Sequence, residues 1–324
     1  MSHIFDALQR SESELSGSEA SSFEMATELL QAAEEKMRAA DRQGPAAVAV
    51  SDRALDRAPE AGADPSRVDP DPSFPADLEQ CPRMAVSVPT ESRLVSVEKE
   101  ESLGAEKFRF LAVRLRQLRQ SRPLDRPLKK ILVTSTIPQE GKSTVAANLA
   151  CTLARRKPQR TLLLEGDLRR PTVAARFGLG RIPGLSEWFR AEGTTMNIYR
   201  LESLGLWVMP AGNAPENPLE LMQSGKLPPL MEQLTAWFDW IVIDSPPVLP
   251  LGDTSIWARL ADGILLVTRP GVTEKHQLQR GLDALEKSKL LGALVNGSTN
   301  AAHSDYYQRY GPSASRRESR DSNP

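Results

Sequence analysis

Cysteine is nearly missing from this chain: Cys81 and Cys151 are the only two in 324 residues. That excludes a disulfide framework, and a thiolate zinc site needs more ligands at closer spacing. Histidine is almost as sparse. His3, His276 and His303 lie far apart with no carboxylate cluster beside them, the pattern of surface or packed histidines rather than metal ligands. An excess of one charge is missing too, because the formal net charge is −1. Nucleic acid as a partner therefore has no electrostatic footprint in the overall balance. No apolar run approaches the roughly 18–20 residues that cross a bilayer. The start, Met1-Ser2-His3-Ile4-Phe5-Asp6, has neither a basic n-region nor a long apolar h-region. The expectation is a soluble cytoplasmic protein without a membrane span of its own, reaching the inner face of a membrane only through a partner.

Composition divides the chain into four parts. Residues 1–42 are polar and acidic, with room for two short helices, one of which places Ile4, Phe5 and Leu8 on one face. Residues 43–95 are rich in Pro, Asp, Ala and Ser, as in Pro70-Asp71-Pro72-Ser73-Phe74-Pro75, and read as a disordered linker that buries too little apolar surface to offset its ordering entropy. Residues 96–300 read as the globular domain, and residues 301–324 as a flexible tail.

Within the globular part, Glu106 to Leu118 forms an amphipathic helical pattern with Phe108, Leu111, Leu115 and Leu118 on one side. Short apolar runs follow at Lys130–Thr134, Thr161–Glu165, Trp240–Asp244, Gly263–Thr268 and Leu291–Val295. These runs are apolar throughout rather than alternating, and helical stretches separate them. That pattern predicts an α/β fold with a doubly wound, mostly parallel sheet buried on both faces, and ligand chemistry at the carboxyl ends of its strands.

The first such strand end carries Ser135-Thr136-Ile137-Pro138-Gln139-Glu140-Gly141-Lys142-Ser143-Thr144, which fits the P-loop pattern except that Thr136 stands at the first glycine position. Gly141 lets backbone N–H groups approach phosphates, and the following helix start adds a positive dipole end. Lys142 would reach the β- and γ-phosphates of ATP, and the Ser143 hydroxyl would bind Mg²⁺. Two later strand ends bear acids, Glu165-Gly166-Asp167-Leu168-Arg169-Arg170-Pro171 and Asp244-Ser245-Pro246-Pro247. Taken singly, each acid is an ordinary turn residue. Beside a P-loop, Asp167 and Asp244 are placed to hold Mg²⁺.

At these residues the chain resembles the bacterial protein-tyrosine kinases of capsule and exopolysaccharide assembly, members of the P-loop ATPase superfamily. The resemblance covers roughly residues 100–310 and extends to Pro210-Ala211-Gly212, Asn217-Pro218 and Asp253. It implies ATP-dependent autophosphorylation, with Pro138–Thr144, Arg169 and Asn296 around the nucleotide and Asn296 against adenine. Lys142, Glu165, Asp167 and Asp244 would be catalytic, with either Glu165 or Asp167 as the base. The cluster Tyr306, Tyr307 and Tyr310, holding three of the chain's four tyrosines, would be the phosphoacceptor. A ring-like self-association and a transmembrane co-polymerase that activates the kinase are implied as partners. Two positions depart from the family pattern. Glu165 replaces an Asp, and Ala112 stands where the subunit-contact motif Glu-x-x-Arg-x-x-Arg, begun by Glu106 and Arg109, has its second Arg. Two other functions fit a P-loop: a partition- or division-type ATPase with water as acceptor, and a nucleotide-sensing scaffold without transfer activity. Partition-type relatives carry a second lysine early in the loop, and none occurs between Ser135 and Gly141.

Overall fold

The computed structural model describes residues 78–98, 102–191, 196–249 and 252–297, all within the unit spanning 77–324. The short helices expected in 1–42 and the tail with Tyr306, Tyr307 and Tyr310 lie outside the described residues.

Eight strands form one sheet among the described residues: β1 (Arg83–Met84), β2 (Lys130–Ser135), β3 (Thr161–Glu165), β4 (Tyr199–Leu201), β5 (Leu206–Met209), β6 (Trp240–Asp244), β7 (Gly263–Thr268) and β8 (Leu290–Val295). Their order is β1-β4-β5-β3-β6-β2-β7-β8, and every neighbouring pair is parallel except β4 with β5. The helices are α1 (Val95–Glu98), α2 (Leu103–Gln120), α3 (Lys142–Ala154), α4 (Val173–Arg176), α5 (Leu185–Arg190), α6 (Pro218–Met222), α7 (Leu227–Trp237), α8 (Asp253–Leu260) and α9 (Lys275–Asp283).

Successive strand residues point to opposite faces, and both faces are covered, which is why the strands read as continuous apolar runs. Ile131, Val133, Leu163, Val242 and Leu265 share one core with α2 and α3. Leu132, Leu164, Ile243 and Leu266 face the other way and are equally buried, on the side where α7 meets β6 and α8 meets β2. Nearly every residue of α3 is buried, so this helix is packed on all sides, and its buried Asn148 and Thr152 are hydrogen-bonded.

Ser102 caps α2 by accepting from the Ala105 amide at 3.2 Å. The apolar stripe of α2 is wider than its large side chains suggest, because Ala105 and Ala112 are buried with Leu115. Ala112 has no exposed surface. An arginine there would bury its guanidinium against α3, so position 112 is unavailable to a neighbouring subunit. Glu106 and Arg109 pair with each other on the exposed side.

The fold begins before residue 96. Within the stretch read as linker, residues 78–95 are built into the domain: β1 pairs with β4, and Cys81 and Leu94 are buried. Asn148 of α3 fastens this segment, accepting from the Ser96 amide at 2.9 Å and donating to the Arg93 carbonyl at 3.0 Å. Val86, Val88 and Val97 pack on the same core. The Pro- and Asp-rich average of the longer window hid these scattered apolar residues.

Candidate active site

β2 delivers the phosphate loop to the strand-end edge, and α3 leaves from it. Gln139 (φ 71°) and Gly141 (φ 92°) both have left-handed backbone, which turns successive N–H groups inward as an anion nest. Gly141 is required twice over, since a Cβ there would also lie 2.1 Å from the Asn296 Nδ2. Thr136 at the first glycine position is not left-handed, and it is fully buried. It fits because Gly281 of α9 lies opposite, where a Cβ would come within 2.9 Å of the Thr136 hydroxyl. Glu140 closes the loop from inside, accepting from the Ile137 amide at 2.7 Å and from the Thr273 hydroxyl. Its carbonyl accepts from Asn296 Nδ2 at 2.8 Å. Asn296 thus braces the phosphate loop. Pro138 and Gln139 are exposed at the rim, and Thr144 is half-buried in the first turn of α3.

Lys142 is the meeting point of the site. Its ammonium donates to Asp167 Oδ2 at 2.8 Å and to Ser143 Oγ at 3.2 Å, and it lies 3.7 Å from Asp244 Oδ1. Burial works to lower its pKa, but Asp244 and Asp167 outweigh burial, so the lysine is held more firmly charged than usual. Both carboxylate oxygens of Asp244 are buried without a hydrogen-bond partner among the described residues. Burial raises the Asp244 pKa against the pull of Lys142. A buried acid with two orphaned oxygens beside Asp167 and the Ser143 hydroxyl fits a hard, oxygen-loving cation. Among the described residues no cluster of three or more His, Cys, Asp or Glu makes a metal cage, so water and phosphate oxygens would complete such a cation's coordination.

Glu165 and Asp167 do different things. The Glu165 carboxylate has no exposed surface. One oxygen accepts from the amides of Thr172 and Val173, the latter at 2.8 Å, and the other accepts from the Ala211 amide at 2.9 Å. The acid therefore ties the end of β3 to the start of α4 and to the Pro210-Ala211-Gly212 turn. Its extra methylene, relative to Asp, is what spans that gap. Burial pushes its pKa up to about 7, opposed by the three amides and helped by nearby Asp244. Among the described residues Asp167 accepts from the Arg170 amide at 3.1 Å and from Lys142. Arg169 sits at the rim, held on Asp253 by bonds of 2.8 and 3.2 Å.

A consequence for stability follows from Glu165. Its folded pKa of about 7 exceeds an ordinary value of about 4.3. The folded state therefore holds the proton more tightly between those values, and wild-type stability falls as pH rises through that window. Glu165→Gln turns an NH₂ toward at least one donor amide. It is expected to be less stable by about 1–3 kcal/mol at pH 5, with the deficit narrowing toward pH 8 as the wild type loses its share. Urea denaturation across that range measures this; a deficit that widens with pH would contradict the assignment.

Two contributors escaped sequence reading. Arg176 donates to the Ser92 carbonyl at 3.2 Å while its charge lies near Asp244 and Glu165; burial lowers its pKa and those acids raise it. Trp257 donates to the Gly166 carbonyl at 3.1 Å and stacks so close that a Cβ at 166 would lie 2.6 Å from its ring. Neither carries a local motif. The spacing Gly166-Asp167 is the only trace of the second.

Fold and site together define a P-loop α/β protein whose phosphate loop stands beside two buried aspartates. No protein-family model matches the chain. It is 35% identical over 216 residues to the tyrosine-protein kinase YwqD of Bacillus subtilis, covering 66% of this chain and 89% of that one. It is 32% identical over 184 residues to the tyrosine-protein kinase CpsD of Streptococcus agalactiae, covering 55% and 80%. Among solved structures, the kinase domain of the Escherichia coli tyrosine kinase ETK superposes with a TM-score of 0.56 at 25% identity, covering 64% of this chain and 82% of that one. The chain belongs to the bacterial tyrosine-protein kinases.

Proposed function

We propose that this chain is an ATP- and Mg²⁺-dependent protein-tyrosine autokinase acting in capsule or exopolysaccharide assembly, with Tyr306, Tyr307 and Tyr310 as its acceptors. The observation that carries the reading is Lys142, poised between Asp167 and Asp244 on a left-handed phosphate loop. Without nucleotide, Lys142 pairs with both acids. When a triphosphate enters the loop, the lysine exchanges Asp167 for phosphate oxygens. Asp244, with its two orphaned oxygens, and Ser143 are the groups that would hold Mg²⁺, which supplies charge neutralisation between phosphates when bound. Asp167 is freed by the same exchange and is the better candidate for taking the tyrosine proton, because the Glu165 oxygens already serve three amides. Positioning and charge stabilisation supply most of the rate. Family membership supports a transmembrane co-polymerase as activating partner and self-association, though Ala112 leaves the second through contacts other than a paired-arginine helix. No helix among the described residues is long and apolar enough to cross a membrane.

The test is incubation of the purified chain with ATP and Mg²⁺, read by mass spectrometry of the tail. Phosphate on the three tail tyrosines, lost on chelation and about 10²–10³-fold slower in Asp244→Asn and Asp167→Asn, is the expected result. Phosphate release to water without phosphotyrosine would assign the partition-type ATPase instead. An unchanged rate in Asp167→Asn with a collapsed rate in a folded Glu165→Gln would return the base role to Glu165.

A further inference from the structure

The sheet has two ends of opposite character. The strand ends carry the phosphate loop and its acids, whereas the strand starts carry cations. In the segments leading into β2 and β3, residues 114–130 and 155–160, eleven Lys and Arg stand against one acid, Asp125.

These segments form one surface. The Asp239 and Trp240 amides donate to the Arg160 carbonyl at 2.9 and 3.2 Å, and the Ile241 amide donates to that of Lys129 at 2.8 Å. Arg119 donates to the Asp239 carbonyl and Arg122 to the Asp262 carbonyl. Burial and neighbouring Arg156 both lower the Arg116 pKa, so the end of α2 and the α3–β3 loop press like charges together. Of the acids on this face, Asp239 and Asp262 are engaged by the amides of Arg160, Lys129 and Lys130, whereas Asp125 is exposed beside Arg126. Arg114, Arg126, Arg156 and Lys157 remain exposed.

At the tip of this basic surface, between Pro123 and Pro127, Leu124 is 100% exposed. Arg122 and Arg126 flank it. The exposed acid Asp125 lies 4.0 Å from Arg126, so a bare aliphatic side chain stands here within a net-basic surface, which matches the boundary of an anionic bilayer, where the cations meet headgroup phosphates and the aliphatic group leaves water. A nucleic acid would satisfy the cations but leave Leu124 in water.

We propose that the strand-start face is a docking surface for an anionic phospholipid bilayer, with Leu124 entering the headgroup layer. The six residues of β2 separate this face from the phosphate loop by about 20 Å, at a strand rise of about 3.3 Å per residue. Docking there leaves the nucleotide edge facing away from the lipid, open to ATP.

The full chain, sedimented with vesicles, tests this. Binding is expected to vesicles containing about one-third phosphatidylglycerol, not to phosphatidylcholine alone, and to be lost as salt rises from about 0.1 to about 0.5 M. The triple variant Arg126→Glu/Arg156→Glu/Lys157→Glu should lower the partition coefficient at least about tenfold, and Leu124→Ser about five- to tenfold, with thermal unfolding and autophosphorylation unchanged. Equal uptake by neutral and anionic vesicles, or undiminished binding by the triple variant, overturns the proposal. So does indifference to vesicles with capture of duplex DNA or polyglutamate, which would make the face a site for another polyanion.

Discussion

Lys142→Met is expected to lower autophosphorylation by a factor of about 10³ or more, the largest effect of any single substitution in this chain. The lysine is the only side-chain cation within ion-pair distance of both Asp167 and Asp244 among the described residues. Without it, triphosphate would enter a pocket lined by uncompensated carboxylates and meet repulsion instead of an ammonium. The same change is expected to weaken the nucleotide-free fold by about 3 kcal/mol near pH 8, at the low end for a broken buried pair, because Lys142 keeps 12% of its side chain exposed. The sign of the pH dependence is set by Asp244. Its folded pKa already lies above the ordinary value, and loss of Lys142 raises it further. The cost of its charged form is absent at acid pH and grows as pH rises. The stability deficit of Lys142→Met should therefore shrink on acidification. A folded Lys142→Met protein that still phosphorylates its tail would refute the site.

Mixing an inactive Lys142→Met chain with a Tyr306/Tyr307/Tyr310→Phe chain that keeps its nucleotide site should place phosphate on the inactive chain's tail. The root of that tail is fixed at the phosphate loop. The Asn296 amide donates to the Thr268 carbonyl and its side chain to that of Glu140, both at 2.8 Å. Tyr306 lies ten positions beyond Asn296, a span of at most about 33–36 Å, enough to reach the site of a second copy. Each phosphotyrosine adds about −1.5 to −2 charges, so three make strongly negative a tail in which Arg309, Arg316, Arg317 and Arg320 stand against Asp305, Glu318 and Asp321. Self-association is expected to loosen as phosphate accumulates, visible as a smaller species by light scattering. Mass spectrometry with the two chains distinguished by size decides the transfer itself: an unphosphorylated Lys142→Met tail would eliminate transfer in trans.

Five of the eight strands were legible as apolar runs: β2, β3, β6 and β7 because central parallel strands are buried on both faces and burial leaves a continuous signature, and the edge strand β8, only partly buried, because its residues are apolar throughout. β1, β4 and β5 were not. β1 has two residues and β4 three, too short for any period to register, and β5, although wholly buried, is only four residues long. The segment 78–95 failed for a related reason. Its apolar residues are single and spaced irregularly, and only the side of α3 that receives them gives them a pattern.

The sequence alone determined the P-loop, the strand that carries it, the acids at two later strand ends and the tyrosine cluster. Each is a local feature, written in consecutive residues whose spacing follows from backbone geometry. Only the tertiary structure decided what those acids touch. Glu165 and Asp167 are two positions apart on one segment, yet one faces three amides from distant loops and the other faces Lys142. The pairing of Arg169 with Asp253, 84 residues apart, and the burial of Ala112 against α3 are likewise contacts between elements. No spacing rule encodes them, because hydrogen-bond partners and buried faces depend on which segments the packed sheet brings within a few ångströms.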